Sequence, residues 1–283
     1  MKPMIKYRGG KSKEIPHIMQ YIPRFTGRYV EPFLGGGALY FYLDPREAII
    51  NDINRHLISF YKGVRNHFTE LKKELNEIEA LYETNRREYE ALKISMPNER
   101  VEDKNEALYY LLRDMFNNRV RKEYSDALLY YFINKTAYSG MIRYNANGDF
   151  NVPYGRYKHL STQQVTFSHS ELLKRTEIYN ADYRKIFNMC DDNDFVFLDP
   201  PYDCIFSDYG NMEYKDGFNE DSHRKLAEDF RNLSSKALMV IGETPLTEEL
   251  YGPFIVGEYA KSYAVNIRNR FKAAAKHIIV TNY

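Results

Sequence analysis

Continuous apolar runs and spaced apolar stripes alternate along this chain, and each predicts a different element. Tyr29-Val30, Ala48-Ile49-Ile50, Phe195-Val196-Phe197-Leu198 and Ala237-Leu238-Met239-Val240-Ile241 are unbroken runs, the pattern of strands buried on both faces of a sheet. A shorter segment around Ile178 and the closing Ile278-Ile279-Val280 read the same way. Between Glu70 and Asp126 the pattern changes to charged and helix-favouring, with Leu71, Leu75, Ile78 and Leu81 predicting one apolar helix face. Met96-Pro97-Asn98 breaks that helix, and Asn105 to Met115 and Ser125 to Lys135 predict two more. Asn147-Gly148, between two runs of mixed aromatic and polar residues, predicts a β-hairpin. The expected organisation is α/β: a Rossmann-like sheet from residues 1–64 and 159–283, interrupted by a helical and hairpin unit over 65–158.

Asp199-Pro200-Pro201-Tyr202 follows the Phe195–Leu198 run, so it falls where a strand ends and where open α/β sheets bind ligands. Asp199 offers carboxylate acceptors, and Pro200 offers a carbonyl without an N–H. Pro201 fixes its own φ and restricts Pro200, so that carbonyl is aimed. Tyr202 adds a flat face for stacking. Two acceptors beside an aromatic plate suit a planar ring bearing an exocyclic amino group. Such a nitrogen is a poor nucleophile while its lone pair is delocalised into the ring. Held by both N–H bonds, it moves towards tetrahedral geometry and can attack. An ordinary Pro-Pro turn with a solvated Asp199 is the plain alternative.

A second motif weighs against that alternative. Tyr29 to Leu39 contains Glu31-Pro32-Phe33-Leu34-Gly35-Gly36-Gly37 and reads as strand end, glycine turn and helix start. Its spacing is not GxGxxG. Asp52 comes 15 residues after Gly37 at the end of the Ala48–Ile50 run, where a Rossmann-like sheet holds an acid for ribose hydroxyls.

With these motifs on the page the chain resembles the Dam-type DNA adenine-N6 methyltransferases, in which the glycine motif precedes Asp-Pro-Pro-Tyr. The resemblance spans nearly the whole length. It is anchored at Ile5 to Lys11, Glu31 to Gly37, Asn51 to Asn54, Ser139 to Tyr157, Asp199 to Tyr202 and Ile278 to Tyr283. It implies S-adenosylmethionine (AdoMet) as methyl donor and N6 of a flipped adenine in double-stranded DNA as acceptor. Asp199, Pro200, Pro201 and Tyr202 would form the catalytic motif. Tyr7, Lys11, Glu31, Phe33, Gly35, Gly37, Asp52, Asp182 and Asp199 would form the cofactor site. Tyr7 stands where the family more often has Trp, and this chain has none. Asp182 competes with Asp191, Asp192 and Asp194, whose plain reading is a solvated acidic turn.

The same resemblance makes the 65–158 unit a target-recognition domain whose hairpin enters the major groove. Arg143 would read guanine O6 and N7 with its fork. Asn145 would read a base or orient the hairpin. Met141 and Pro153 would make apolar base contacts, Tyr138 would wedge beside the target, and Lys6 would reach a base or phosphate. Against this stands an aromatic hairpin packed on its own domain, with Arg143 in an internal ion pair.

Composition adds bounds. The net charge of +1 over 283 residues gives no global basic signature. Local basic clusters occur at Arg113, Arg119, Arg121 and Lys122, read as a solvated face, and at Arg268, Arg270, Lys272 and Lys276. Two cysteines, Cys190 and Cys204, exclude a disulfide framework and a cysteine zinc site, and Cys204 is read as structural. No signal peptide or spanning run is evident, so a cytoplasmic protein of bacterial or phage origin is expected. Whether the chain stands alone, pairs with a cognate restriction endonuclease or comes from a phage stays open. Cytosine N4 chemistry usually begins its motif with Ser, and glutamine modification with Asn. RNA as substrate and a catalytically silent AdoMet-sensing DNA binder stay open. GATC as the recognised site is a family-level expectation.

Overall fold

The structure is a computed structural model that describes residues 1–202, 218–261 and 275–283. Seven strands form one sheet: β1 (Tyr29–Glu31), β2 (Ala48–Asn51), β3 (Thr176–Tyr179), β4 (Phe195–Leu198), β5 (Lys236–Gly242), β6 (Ile255–Lys261) and β7 (Ala275–Thr281). Their order is β3-β2-β1-β4-β5-β7-β6. The first five run parallel, and β7 is antiparallel to both β5 and β6. The closing run Ile278-Ile279-Val280 is therefore a strand, as expected, and it runs against its neighbours. β6 was not foreseen: its apolar run stops at Val256 and gives way to Gly257-Glu258.

The unbroken runs of β1, β4 and β5 are explained by cores on both sides of the sheet. Tyr29, Phe195, Phe197, Leu238 and Val240 enter one apolar cluster. Val30, Val196, Leu198, Met239 and Ile241 enter the other. Successive residues point to opposite faces, so a strand buried on both has no polar position. The chain passes from β1 outward to β2 and β3, then returns to β4 on the other side of β1. This reversal makes the β1/β4 boundary the switch point, with Glu31 and Asp199 at the adjoining strand ends.

Helices over Phe68–Ser95, Lys104–Phe116 and Asp126–Thr136 fill the interval between β2 and β3. Their ends follow the sequence: Met96 caps the first C-terminally, and Asp103 and Ser125 cap the other two through side-chain oxygens. The long helix buries Leu71, Leu75, Ile78, Tyr82 and Asn85, whereas Leu81 is 42% exposed. Leu81 was expected on that face. Tyr82 lies eleven residues from Leu71, about 20° off its line at 100° per residue, and takes the place instead. The apolar cluster that covers this face of the sheet runs on through Phe60, Leu75, Tyr109, Leu129 and Phe150. The helices are packed into the core of the sheet domain rather than onto a core of their own.

Candidate active site

The three motif segments meet in one cleft at the switch point. Its lining includes Tyr7 and Lys11, Glu31 to Gly37, Asp52, and Asp199 to Pro201. The glycine turn is required by packing. Gly35 and Gly37 have φ of 50° and 64°, and a Cβ on Gly35 would lie 2.7 Å from the Tyr7 ring. Tyr7 thus lies directly on the turn. The Tyr61 hydroxyl donates to the Gly35 carbonyl at 3.0 Å. Asp52 holds the turn from beneath, accepting the Gly35 N–H at Oδ2 and the Asn54 N–H at Oδ1, both at 2.9 Å.

The electrostatics of the cleft are dominated by carboxylates. Glu31 is buried and accepts the Tyr29 hydroxyl at 2.6 Å. Burial pushes its carboxyl well above the usual range, the charges of Asp199 and Asp52 push the same way, and the Tyr29 hydrogen bond opposes them. Lys11 is buried and donates to Asp199 Oδ1 at 2.6 Å and to the Gly9 carbonyl at 2.9 Å. Its ammonium also lies 4.9 Å from the centre of the Tyr202 ring. The resemblance put Lys11 in the cofactor site and gave no sign of this direct pair with Asp199, since nothing local joins residues 188 apart.

Phe33 lines the cleft with Tyr183, ring centres 5.4 Å apart. Asp182 itself is turned to the helix it starts. It accepts the Arg184 N–H at 3.0 Å and pairs with Arg184 Nε at 2.8 Å, while its neighbours Ala181 and Tyr183 line the cleft. Among the acidic turn residues Asp194 is not solvated: it is buried and holds Arg28 at 2.7 Å.

Residues 7–265 match the family of D12 class N6 adenine-specific DNA methyltransferases. The chain belongs to that family. It is 32% identical over 291 residues to the type II methyltransferase M.CviBI of Paramecium bursaria Chlorella virus NC1A, covering 100% of both chains. It is 32% identical to M.MjaIII of Methanocaldococcus jannaschii, over 91% of this chain and 89% of the relative. Identity to the DNA adenine methylase of Salmonella typhi is 29%, over 94% of this chain and 88% of that one. The enzyme is accordingly a DNA adenine-N6 methyltransferase, and methyltransferases of this kind in general use AdoMet. No helix among the described residues is long and apolar enough to cross a membrane.

Several of the residues expected to touch DNA are linked by local contacts. The Tyr138 N–H donates to the Pro153 carbonyl at 2.9 Å, and Tyr138 is 50% exposed. Met141 follows, half-buried against the core. Lys6 is tied to the same region: its backbone exchanges hydrogen bonds with the Asn134 side chain, and its ammonium stands 3.8 Å from the Tyr157 ring centre. Burial lowers the pKa of Lys6. The hairpin is short, with one bridge pair at Tyr144 and Phe150. Its turn runs Asn145 to Gly148, one residue earlier than the expected Asn147-Gly148 centre. Asn145 Oδ1 accepts the N–H groups of Asn147 and Asp149 at 3.0 and 2.9 Å, and Gly148 takes the positive φ of 84°. Asn145 therefore orients the hairpin. Arg143 is exposed and its Nε donates to Asn151 Oδ1 at 2.9 Å.

Of the first basic cluster, Arg119 pairs with Asp149 at 2.7 Å and Lys122 with Asp126 at 2.6 Å, so both are spent on surface pairs. Cys204, Arg268, Arg270 and Lys272 lie outside the described residues. Lys276 pairs with Glu258 at 3.3 Å.

Proposed function

We propose that this enzyme binds AdoMet between the Gly35–Gly37 turn, Asp52 and Asp199, and methylates N6 of an adenine flipped out of duplex DNA onto Tyr202. The observation that carries the reading is the convergence of the glycine turn and the Asp199–Pro201 segment, which leads into Tyr202, on one cleft at the β1/β4 switch point.

The donor set fits AdoMet. A sulfonium and an α-ammonium outweigh one carboxylate, so the ligand carries net positive charge. Asp52 and Asp199 present carboxylates to the cleft, burial favours the protonated form of Glu31 beside them, and Lys11 supplies one buried cation for the ligand's carboxylate. The glycine turn lines the cleft with Tyr7 closed over Gly35 and Gly36 and Phe41 behind Gly37. Phe33 and Tyr183 offer aromatic walls to a purine, and Asp182 acts as a positioning residue by capping the helix that carries Tyr183. When bound, AdoMet supplies a methyl group on an activated leaving group.

The chain's own residues do the rest. Asp199 and the Pro200 carbonyl accept the two N6–H bonds and turn the nitrogen lone pair out of conjugation. Lys11 fixes the rotation of the Asp199 carboxylate through Oδ1. Tyr202 holds the purine plane, so orientation supplies most of the acceleration. Residues 65–158 serve as the target-recognition part. Lys6, Tyr138, Met141, Arg143 and Pro153 face the duplex, with Asn145 shaping the hairpin. The type II names of several relatives support a paired restriction endonuclease.

The test is expression in a host without adenine methylation, followed by single-molecule sequencing that detects modified bases. One motif carrying N6-methyladenine is expected, and none with Asp199→Ala, which retains measurable AdoMet or DNA binding. Methylation by Asp199→Ala, or unmodified DNA despite folded wild-type protein, overturns the reading.

A further inference from the structure

Behind Tyr202 lies a buried polar row that the reading above does not use. β5, β7 and β6 align Gly242, His277 and Tyr259, because Gly242 pairs with His277 and His277 with Tyr259. Residues paired in this way project to one face of the sheet. Gly242 has no side chain, and the Tyr202 ring occupies the space: a Cβ there would lie 3.3 Å from Tyr202 Cδ2. His277 stands next, edge-on to Tyr202, with ring centres 5.0 Å apart at 83°. Its Nδ1 is 3.4 Å from the Tyr202 hydroxyl oxygen.

His277 is fully buried, and it is held in turn. Glu14 Oε2 and the Tyr259 hydroxyl each lie 3.2 Å from Nδ1, and Tyr259 donates to that same Glu14 oxygen. A carboxylate facing Nδ1 selects the tautomer with its proton there. Glu14 comes from outside the sheet. It ends the turn that begins at Lys11, donating its N–H to the Lys11 carbonyl at 2.8 Å. One turn therefore grips both ends of the catalytic motif. Lys11 holds Asp199 directly, and Glu14 reaches Tyr202 through His277. An imidazole and a carboxylate are costly to bury, and apolar residues of similar size would fill the same volume at lower cost. Their presence here calls for a role that packing alone does not supply.

We propose that His277, backed by Glu14 and Tyr259, is a positioning residue for methyl transfer. It fixes the tilt of the Tyr202 ring and so the plane in which the target base is presented. This inference rests on Tyr202 being the stacking surface.

The test uses full-length protein and a duplex carrying the motif found by sequencing, at saturating AdoMet and DNA. Single-turnover methylation is measured on that duplex, and base stacking is read separately from the fluorescence of a second duplex that carries 2-aminopurine in place of the target adenine. His277→Ala is expected to slow the single-turnover rate about tenfold, close to 1.4 kcal/mol of barrier, and to brighten the bound aminopurine as it loses its stacking partner. His277→Asn, which keeps a donor near the Nδ1 position, is expected to recover most of the rate. In a Tyr202→Ala background, His277→Ala is expected to add no further loss, since the two act as a unit. A wild-type rate for His277→Ala, no recovery by His277→Asn, or additive losses in the double variant would each overturn the proposal. Should His277→Ala fail to fold, Tyr259→Phe removes only a hydroxyl. It is then expected to slow transfer a few-fold, and only while Tyr202 is present; a wild-type rate would count against the proposal. If Tyr202→Ala alone keeps the wild-type rate and aminopurine signal, the stacking reading fails instead.

Discussion

Glu31 sits at the end of β1 in the most costly place for a carboxylate, buried and near two other acids. Its carboxyl is pushed up by burial, and that gives stability a sign with pH. Below about pH 4.3, the ordinary glutamate value, the group is protonated folded or unfolded and makes no difference. Above it the unfolded chain ionises first, so stability falls as pH rises towards the folded-state value. Glu31→Gln should therefore melt at a higher temperature than wild type at pH 8, with the gap closing near pH 4, while AdoMet-induced stabilisation weakens. Melting curves with and without AdoMet check both, and a lower melting temperature at pH 8 would contradict the argument. Arg143 poses the opposite case, an exposed side chain with one weak tie to Asn151. Its fork should discriminate guanine by about 1–3 kcal/mol. Arg143→Ala should relax the methylated motif at one position more than it slows the best site, and an unchanged motif would remove Arg143 from base reading. Residue identities of this kind are legible in sequence because the motifs are local. Lys11 on Asp199 and Glu14 on His277 are not, since the latter pair is separated by 263 positions.

Helix Arg55–Asn66 follows directly from the strand-end acid, and its second residue packs against the hairpin at Tyr144. His56 packs its ring against Phe116 at 4.7 Å and Tyr144 at 6.1 Å, with Asn54 capping its N–H at 3.1 Å. Burial, with Arg55 adding to it, depresses its pKa to about 4. The contribution is full above about pH 6.5, the ordinary histidine value, and is lost as pH falls towards 4. Melting temperature should drop across that window, and His56→Gln should flatten the drop, even at some cost in packing at pH 8. A profile identical to wild type would mean that His56 does not report this contact. Most elements here were readable from their apolar spacing. The errors come where a polar side chain or a large aromatic decides. Asn145 moved the hairpin turn by accepting two N–H groups, and Tyr82 displaced Leu81 from the buried stripe. β6 escaped notice because an edge strand needs only one buried face.

At the scale of the molecule, the catalytic motif depends on strands that carry no chemistry. Asp199 and Tyr202 leave β4, which is paired to β5, and β5 is paired to β7. β5 and β7 therefore act as a wall on which the second half of the motif leans, at Gly242 and His277. Ile279 stands two residues along β7 from His277, pairs with Val240, and is 1% exposed. Its side chain enters the same cluster that runs under the glycine turn and into the helices. An aspartate there has no partner in an apolar cluster, so Ile279→Asp should cost more than about 4 kcal/mol. Because one core joins the sheet to the helical unit, the loss should appear as a single cooperative change rather than as a released recognition domain. The expected outcome is insoluble protein, or one low melting transition that takes AdoMet binding and DNA binding with it. Two separate transitions, with the helical unit surviving the change, would show that the continuous core does not couple them. Wild-type melting with lost methylation would instead assign β7 a chemical part and refute its structural one.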